Sequence, residues 1–496
     1  MMSPQGAPQN LDRSRRYFLG NAANGVGLLA LASLLQAQGV LAEPTAGPPA
    51  NPLAPQPSPF PARAKACIFI YLEGAPSQID LFDPKPKLNE LHGQALPESM
   101  TKNVRFAFLQ KETARLMGCP RTFTRHGQCG MELSDFLPHL ATCADDICLI
   151  RSMHTEAFNH HPGQLLLNTG SQMFGRPSIG SWLTYGLGSE SNNLPGYVVL
   201  TAGRGTSGGT SNWSSGFLPS TYQGVLFRNQ GEPVLNLNSP PGITPGIEKT
   251  TIGGLGDLNR LRQSLVGDPE IAARIASYEL AFRMQSAAPE LIDLGGETAA
   301  THAAYGLGRE EPENKGRGGG KGTYEAFSRN CLLARRLVER GVRFVNIVHA
   351  SWDHHSNLNS ELAHNCRMAD QPIAALLQDL KARGLLETTL VVWGSEFGRT
   401  PLGENRAGNP DVTGRDHHPF AFSLWCAGGG IKGGQVIGRT DDIGWGIEED
   451  PIHIHDLQAT LLKLFGINHL QLTYRFQGRD FRLTDVGGTV VEKIIG

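Results

Sequence analysis

The sequence predicts an α/β fold with a mainly parallel central sheet and helices on both faces. Short, continuous apolar runs recur from residue 63 onward, and such runs are typical of buried strands. Helical stretches lie between them, and strands that alternate with helices favour a parallel sheet. A chain of 496 residues, 40% of them hydrophobic, can also form a large core around one sheet.

Five strands and three helices can be placed in chain order. The predicted strands are ACIFIYLEG (66–74), ICLIRSMHT (147–155), VRFVNIVHA (342–350), TLVVWGSEFG (389–398) and FAFSLWCAGGG (420–430). Residues 327–341 and 368–384 have helical patterns, and the second ends at Gly384, a residue type common at helix ends. Another helix is predicted to begin at His160, with Asn159 as its N-cap.

Residues 1–42 resemble a twin-arginine export signal. Arg15 and Arg16 precede the apolar run VGLLALASLL, and VLA at 40–42 supplies the small residues of a cleavage site. The apolar run is too short and too rich in Gly and Ala to favour a membrane anchor, so no stable span is expected in the mature protein. We therefore expect export by the twin-arginine machinery to a periplasmic or extracellular location. Residues 43–62 are Pro-rich and predicted to be a flexible linker.

Composition narrows the class of partner. The net charge of −2 gives no indication of binding to nucleic acid or to an anionic membrane. The eight cysteines show no CxxC pair, and most lie beside apolar residues, which predicts buried thiols at positions such as Cys67, Cys148 and Cys426. Whether Cys119 pairs with Cys129 is left open by the sequence.

Residues 201–325 are predicted to be a loop-rich insertion. Residues 203–216 are small and polar, and 308–322 have the composition of an exposed loop. Trp213 and Tyr222 could stack on a sugar ring, but an insertion that only covers the sheet edge is the favoured interpretation. If the substrate is a sulfated or phosphorylated glycan, this insertion would shape its pocket.

Polar residues that follow or precede the predicted strands indicate a site. Ligands of open α/β sheets bind beyond the carboxyl ends of the strands. Eight of the sixteen histidines fall in these segments, and carboxylates accompany them at four of the five strands. The candidates in chain order are Glu73, Ser77, Asp80, His154, Asn159, His160, His161, His349, Asp353, His354, His355, Glu396, Asp416, His417 and His418.

Imidazole and carboxylate groups together predict bound divalent metal ions, one or two, drawn from Zn, Mn, Fe and Ca. Asp353 and His355 are two residues apart, so both point the same way in extended backbone, and His354 points the opposite way. His417 is preferred to His418 as a ligand, because His418 precedes Pro419 and its backbone is restricted. Any single one of these histidines could instead have a purely structural role.

The order of the segments resembles the alkaline phosphatase superfamily, and within it an uncharacterised family of exported sulfatase-like proteins, domain of unknown function 1501. The resemblance spans about residues 60–490 and implies one catalytic domain over 63–490, built as a three-layer sandwich with a two-metal site. The motifs that carry it are GAPSQIDLFDPKP (74–86), LIRSMHT (149–155), NTG (168–170), GRPSIGSWLTYGLGSE (175–190), LPGYVVL (194–200), LARRLVERGVRFV (333–345), WDHHSN (352–357), LVVWGSEFGRTP (390–401), GRDHHP (414–419) and YRFQGRDFRLTDV (474–486).

This resemblance implies a set of metal ligands. They are Glu73, Asp80, Asp353, His355, Glu396 and His417. Glu73 or Asp80 stands where the superfamily has an Asp after its first strand, and Glu396-Phe397 stands where it has an Asp-His pair. Eight further residues are expected to orient ligands or contact substrate. They are Ser77, His154, Asn159, His161, His349, His354, Asp416 and His418.

The nucleophile position departs from the superfamily pattern. Counting back ten residues from Gly170 reaches His160, where phosphatases have Ser or Thr. No Cys or Ser has Pro at +2 and Arg at +4, so the formylglycine chemistry of sulfatases is disfavoured. Two mechanisms remain. In the first, which we favour, a metal-bound hydroxide attacks the ester and His160 is a metal ligand or a base. In the second, His160 itself attacks and forms a phosphohistidine. Arg399 is expected to clamp an anionic oxygen, with a surface salt bridge as the alternative.

The expected function is an exported metal-dependent hydrolase of sulfate or phosphate esters. Its substrate would be a small molecule or a glycan ester. The alternative is a catalytically degenerate relative that binds metal or sulfated glycans without turnover, and the missing Ser, Thr or Cys nucleophile is the observation in its favour.

Overall fold

The computed structural model describes residues 51–496 with gaps at 103, 229–231, 236, 240, 313–319 and 405–412. The strands in these residues are β1 Ala66–Leu72, β2 Arg115–Leu116, β3 Phe123–His126, β4 Met131–Ser134, β5 Ile147–His154, β6 Tyr197–Ala202, β7 Val225–Phe227, β8 Phe344–His349, β9 Thr389–Gly394, β10 Gly398–Gly403, β11 Arg415–His418, β12 Phe422–Ala427, β13 Gln435–Ile437, β14 Arg439–Thr440, β15 Ile447–Glu449, β16 Ile452–His453, β17 Tyr474–Phe476 and β18 Arg479–Phe481. The five predicted strands are β1, β5, β8, β9 and β12.

The helices of the same residues are α1 Gln78–Leu81, α2 Pro86–Glu90, α3 Glu98–Thr101, α4 His160–Thr169, α5 Ile179–Leu187, α6 Pro245–Val266, α7 Pro269–Ile292, α8 Ala299–Tyr305, α9 Thr323–Glu339, α10 Leu358–Ala382 and α11 Ile454–Leu464. The predicted helices correspond to α4, α9 and α10. Helix α4 begins at His160 as expected, and Asn159 is its N-cap by position, although its side chain makes no capping hydrogen bond.

The central sheet has nine strands. Their order is β13-β5-β12-β9-β1-β8-β6-β7, and β16 pairs with β5 beside this path. Every pair is parallel except the two that β12 makes with β5 and β9. The predicted α/β fold with a mainly parallel sheet is therefore confirmed.

Helices cover both faces of this sheet because β1 is apolar on both sides. Ile68 and Ile70 pack with residues of α9 and α10 in one hydrophobic cluster, whereas Phe69 and Tyr71 pack with residues of α4, α5 and α11 in another. Alternate side chains of a strand point to opposite faces, so a continuous apolar run is the pattern that a strand buried on both faces requires.

The sheet edge that carries the site is formed by the carboxyl ends of β1, β8 and β9. The register pairs Leu72 with His349 and Tyr71 with Gly394, so the three strands end at nearly the same level. The antiparallel pair of β10 and β11 then places Arg399 opposite His417. These pairings bring together segments that are distant in the chain.

Part of the insertion predicted as loop-rich is helical. Residues 245–266 and 269–292 form α6 and α7. Thr244 caps α6 through a hydrogen bond from Ile247 N, Pro245 takes the first turn, and Gly267 ends it with φ of +71°. Glycines in the interior of α6 weaken the hydrophobic periodicity by which a helix is predicted. The residues that mark its two ends, Thr244, Pro245 and Gly267, are nevertheless typical of helix ends.

The chain divides into two compact units. One unit contains residues 51–52 and 239–279, and the other contains residues 53–238 and 280–496. Every residue discussed below as part of the site lies in the second unit. The predicted signal at 1–42 and linker residues 43–50 lie outside the described residues. Residues 53–62 do not behave as a free linker, because Gln56 N donates to Leu187 O at 2.9 Å and Phe60 N donates to Gly466 O at 3.0 Å.

Two further findings concern the cysteines and the helices. All eight cysteines are free thiols, so Cys119 and Cys129 do not pair, and Cys129 is the exposed one. Cys67, Cys148 and Cys426 are buried as predicted. Across the described ranges, none of the helices combines the length and the apolar character that crossing a membrane requires.

Candidate metal centre

Four side chains from three segments converge at the carboxyl edge of the sheet. His160 begins α4, Asp353 and His355 lie in the loop after β8, and His417 lies on β11. One potential ligand atom from each residue lies within 4.8 Å of those of the other three. We call His160, Asp353, His355 and His417 the four-residue cluster.

Asp353 lies at the centre of this cluster. Its Oδ1 atom is 2.7 Å from His355 Nε2, 3.2 Å from His160 Nε2 and 3.4 Å from His417 Nε2. The Nε2 atoms of His355 and His417 are themselves 3.0 Å apart. Three imidazole rings thus present the same ring nitrogen to one carboxylate oxygen.

Each imidazole is held through its other ring nitrogen. The acceptors that contact Nδ1 of His160, His355 and His417 are, in that order, Glu396 Oε1 at 2.6 Å, Glu404 Oε2, and Phe158 O at 2.8 Å. An acceptor at Nδ1 keeps the proton on that atom and leaves the Nε2 lone pair free to bind a cation. Histidines that ligate metals have this arrangement, in which a carboxylate or carbonyl fixes the tautomer and the ring orientation.

The donor atoms fit a divalent metal ion. His160 Nε2 is buried without a hydrogen-bond partner among the described residues, although Asp353 Oδ1 lies 3.2 Å away. A buried polar atom without a partner is costly, and a cation at this position would satisfy it. Three imidazole nitrogens and one carboxylate suit zinc, and they also suit other borderline divalent ions.

The ionisable groups of the cluster shift one another's pKa values. Burial lowers the pKa of His160, but Asp353 and Glu396 outweigh this effect and raise it to about 9. Burial raises the pKa of Asp353, yet the three imidazoles hold it well below its usual range. Burial lowers the pKa of His417 to about 4, against the opposing effect of Asp353. Asp353 is therefore ionised and His417 neutral near pH 7, the forms in which these groups bind metal. His160 is protonated near pH 7 in the metal-free cluster, so a bound ion would have to displace the proton on its Nε2.

Glu396, predicted to be a metal ligand, lies behind His160 and outside the four-residue cluster. Its carboxylate accepts hydrogen bonds from Tyr71 Oη at 3.0 Å, Gly74 N at 3.0 Å and Ser395 Oγ at 2.6 Å. Burial raises the pKa of Glu396, but His160 and the hydrogen bond from Ser395 outweigh this effect and hold it below its usual value, so the group is ionised. Glu396 is thus placed to orient His160 and to balance its charge.

Gly74 is required by this packing. Its φ is +114°, and a Cβ atom there would lie 2.4 Å from Asp353 N. Any side chain would push the loop that carries Asp353 away from the loop after β1.

Glu404 is a site residue that sequence reasoning missed. It is buried and contacts His355 Nδ1, and with Asp416 it forms a second group of potential ligands around that imidazole. No sequence motif indicates Glu404 as a site residue. It follows β10, and it is brought to His355 only by the pairing of β10 with β11, which is a long-range contact. The carboxylate oxygens of Asp416 accept hydrogen bonds from backbone N–H groups, including those of Phe108 at 3.0 Å and His417 at 2.8 Å.

Asp80 and Glu73, the other predicted ligands, also lie outside the four-residue cluster. Asp80 pairs with Arg415 Nε at 2.8 Å and accepts from Ser77 Oγ at 2.5 Å. Burial raises the pKa of Asp80, but Arg415 and Ser77 lower it below its usual value. Glu73 accepts hydrogen bonds from Ser207 Oγ at 2.6 Å and Ser207 N at 3.0 Å. Both residues follow β1 as predicted, but their carboxylates are bound by other protein groups rather than by the cluster. Ser77, predicted to orient a ligand or contact substrate, donates a hydrogen bond to Asp80.

Arg399 is not placed to clamp a substrate oxygen. It is fully buried, and its donors reach Ala75 O at 2.9 Å, Arg415 O at 2.9 Å, Gly74 O and Asp353 Oδ1 at 2.6 Å. Neither the predicted clamp nor the alternative of a surface salt bridge describes this position. Arg399 joins the loop after β1 to the loop that carries Asp353.

Two further histidines are buried and hydrogen-bonded outside the four-residue cluster. His349 accepts a hydrogen bond from Trp352 Nε1 at 2.9 Å, and burial lowers its pKa to about 3. His418 Nε2 donates to Trp445 O at 2.7 Å, and burial lowers its pKa to about 4. Both are therefore neutral, and neither belongs to the four-residue cluster.

Three remaining histidines lie outside the four-residue cluster. His161 Nε2 donates to Ser207 O at 2.6 Å. His354 lies 3.2 Å from Asn365 Nδ2 and is buried. The ring of His154 packs beside that of another histidine, with 5.2 Å between the centroids, and burial lowers its pKa.

The sequence decides the family. Residues 64–495 match the family described as "Protein of unknown function (DUF1501)". The chain belongs to this family. That membership confirms the resemblance to this family seen in the sequence, and it assigns no activity. No curated protein matches the chain.

Solved structures give a distant likeness. A sulfatase from Pseudoalteromonas sp. is 13% identical, with a TM-score of 0.34 over 82% of this chain and 68% of that one. The lipoteichoic acid synthase LtaP from Listeria monocytogenes is 9% identical, with a TM-score of 0.35 over 90% and 80%. The alkaline phosphatase of the Antarctic bacterium TAB5 is 13% identical, with a TM-score of 0.29 over 74% and 92%. Function therefore has to be inferred from the site itself.

Proposed function

We propose that this chain is an exported, metal-dependent hydrolase of sulfate or phosphate esters. One observation carries the proposal: the Nε2 atoms of His160, His355 and His417 converge on Asp353 Oδ1 while each Nδ1 is held by an acceptor. A site built only to stabilise the fold has no need for three imidazoles whose free nitrogens face one another. A divalent ion, with zinc the best match to the donors, accounts for that geometry.

When bound, the ion would lower the pKa of a water molecule to about 7 and so supply a nucleophile at neutral pH. His160 is then a ligand. Its Nδ1 is engaged by Glu396 and its Nε2 faces the same point as the other imidazoles, so no ring nitrogen is left to attack a substrate. Glu396 and Glu404 fix the tautomers of two ligands, and Arg399 holds Asp353 in place. This assignment needs no Ser, Thr or Cys nucleophile.

The cluster is accessible from one side. The side chains of Asp353 and His160 are 29% and 22% exposed, whereas those of His355 and His417 are 2% exposed. An ester group can therefore approach past His160 and Asp353. A small-molecule ester or a glycan ester would fit this open side.

A second candidate is a degenerate protein that binds metal or sulfated glycans without turnover. It is favoured by the composition of the four-residue cluster, which has no hydroxyl or thiol group. Metal binding is common to both candidates, so only a turnover assay separates them.

Metal analysis and a panel of esters test the proposal. The purified chain should hold at least one divalent ion, and it should release sulfate or phosphate from one class of monoester or diester. His355→Ala should lose the ion and the turnover together, whereas His126→Ala, on β3, should keep both. A protein that neither holds nor binds zinc, manganese, iron or calcium would rule out the proposal, and bound metal without turnover would favour the second candidate.

Export is proposed from Arg15 and Arg16. A double Arg15→Lys, Arg16→Lys variant should accumulate as precursor in the cytoplasm, whereas Arg13→Lys should be exported normally. Equal export of all three proteins would contradict the twin-arginine route.

A further inference from the structure

Helix α6 exposes an apolar stripe. Four large apolar side chains are 42–52% exposed, and they are Ile247, Leu255, Leu258 and Leu261. Their spacing places them along one side of a helix with 3.6 residues per turn. Gly256 is the one buried residue of α6, and the half-buried positions are Glu248, Ile252, Asn259, Arg260, Gln263 and Leu265. Most of the covered positions are thus polar, the reverse of what a surface helix of a globular protein shows.

The other side of α6 already has a partner. Arg260 is two residues from Leu258 and therefore points to nearly the opposite side of the helix. Its Nη1 atom lies 4.0 Å from Glu279 Oε1 on α7, and its Nη2 atom lies 2.7 Å from Asp257 Oδ1. The polar side of α6 is thus directed to α7. A row of exposed apolar side chains on the remaining side is typical of a surface that binds another segment or protein.

The chain itself supplies an apolar segment that can reach this stripe. The first described residues, Asn51 and Pro52, belong to the same compact unit as α6, and the segment 1–50 precedes them. Within that segment, residues 26–35 have the sequence VGLLALASLL and carry no charge, and the four residues of the stripe carry none either.

The length of chain between the two apolar elements favours an intramolecular contact. Residues 36–50 join the run at 26–35 to Asn51, and an extended chain of that length spans up to about 50 Å. A helix of 22 residues is roughly 33 Å long, so the whole stripe lies within reach. A segment tethered in this way has an effective concentration on the order of millimolar, which favours it over a second copy of the chain or a membrane.

We propose that the apolar stripe of α6 binds residues 26–35 of the same chain before export. Docking removes apolar surface of both elements from water, which is the main favourable term in such an association. The run then stays covered until residues 1–42 engage the export machinery, and the stripe loses its partner when the signal is removed. The inference rests on the proposed export and is independent of the metal centre.

Photo-cross-linking of the full-length precursor tests the contact. A benzophenone side chain in place of Leu31 should form intrachain cross-links to α6, identified by mass spectrometry of the digested protein. Leu258→Glu should lower their yield about tenfold, because a charged group replaces a leucine of the apolar contact. Lys249→Gln changes the net charge equally about two and a half turns away, on the opposite side of α6, and should leave the yield unchanged.

Three results of this experiment would overturn the proposal. They are equal yields in the two variants, cross-links confined to parts of the chain other than α6, and cross-links that join position 31 to α6 of a second chain.

Protection from chymotrypsin gives a second measurement that needs no cross-linker. The protease cleaves after leucine, and only the undocked run is accessible to it, so the rate follows the undocked fraction. Cleavage within 26–35 should be several-fold slower in the wild type and in Lys249→Gln than in Leu258→Glu. Equal rates in the three proteins would refute docking.

Failure of docking and failure of the export proposal give different results. Export that depends on Arg15 and Arg16, without cross-links from position 31 to α6, refutes docking and leaves the export route intact. Cross-links to α6 in a precursor whose export does not depend on those arginines support docking and refute the twin-arginine route.

Discussion

Replacing Glu404 by glutamine should weaken metal binding by about ten- to hundredfold, the usual effect of changing a group that orients a metal ligand. Glu404 is buried and contacts His355 Nδ1, so the substitution keeps the shape of the side chain and removes its charge. The neutral amide makes His355 a less basic ligand and leaves its ring less firmly oriented. Tenfold corresponds to about 1.4 kcal/mol, and hundredfold to about twice that value.

The same substitution at Glu396 would test more than the metal site. Glu396 also accepts hydrogen bonds from Tyr71, Gly74 and Ser395, so its replacement would disturb the end of β1 and the loops after β1 and β9 as well. The assay is competition for zinc between the protein and a coloured chelator, with unfolding by urea as the check on stability. Glu387→Gln, at an exposed position, is the matched control.

Zinc affinity in Glu404→Gln equal to that of Glu387→Gln would refute the reasoning. It would mean that His355 does not bind the ion through Nε2, and that the convergence of the three imidazoles reflects packing alone.

Three other outcomes are expected. Asp353→Asn should lower bound metal below the wild-type amount and abolish turnover, as seen by metal analysis and ester assay, because the central carboxylate is lost. Asp80→Asn should destabilise the chain by about 3–5 kcal/mol in urea unfolding at pH 7, since it leaves Arg415 buried without its partner. Removal of metal by a chelator should lower the melting temperature, and added zinc should restore it, because an ion bound only by the native state stabilises it.

The contribution of Asp80 to the free energy of unfolding should depend on pH. The folded pKa of Asp80 is depressed, so its contribution to stability is complete above the ordinary Asp value of 3.8 and is lost as the pH falls through the lower folded value. The gap in stability between wild type and Asp80→Asn should therefore narrow in acid. Asp480→Asn, which changes an exposed pair with Arg475, should alter stability little at any pH, and a large effect there would contradict the distinction between buried and surface pairs.

Much of the fold could be predicted from local sequence. Strands such as β1 are continuous apolar runs, and the start of α4 is marked by Asn159 followed by an apolar stretch, so short-range patterns were sufficient. Helix α6 was missed because its interior glycines weaken the same kind of signal. Three of the four cluster residues were identified as ligands and the fourth, His160, as ligand or nucleophile, because each lies in a polar segment beside a strand.

Which side chains meet was decided by tertiary structure. Glu73 and Asp80 follow β1 in the chain as a ligand would, but Ser207 and Arg415 engage them. Arg399 lies next to the site in sequence and in space, and only its burial shows that its donors are engaged.

The sequence by itself determined the family, the alternating α/β plan and the histidine-rich strand ends, since these depend on residue type and short spacing. The tertiary structure decided that Asp353 is the centre of the cluster and that Glu404 contacts His355. Those relations depend on the order of strands in the sheet and on the register of β10 against β11. Such contacts join residues far apart in the chain, and no local pattern encodes them.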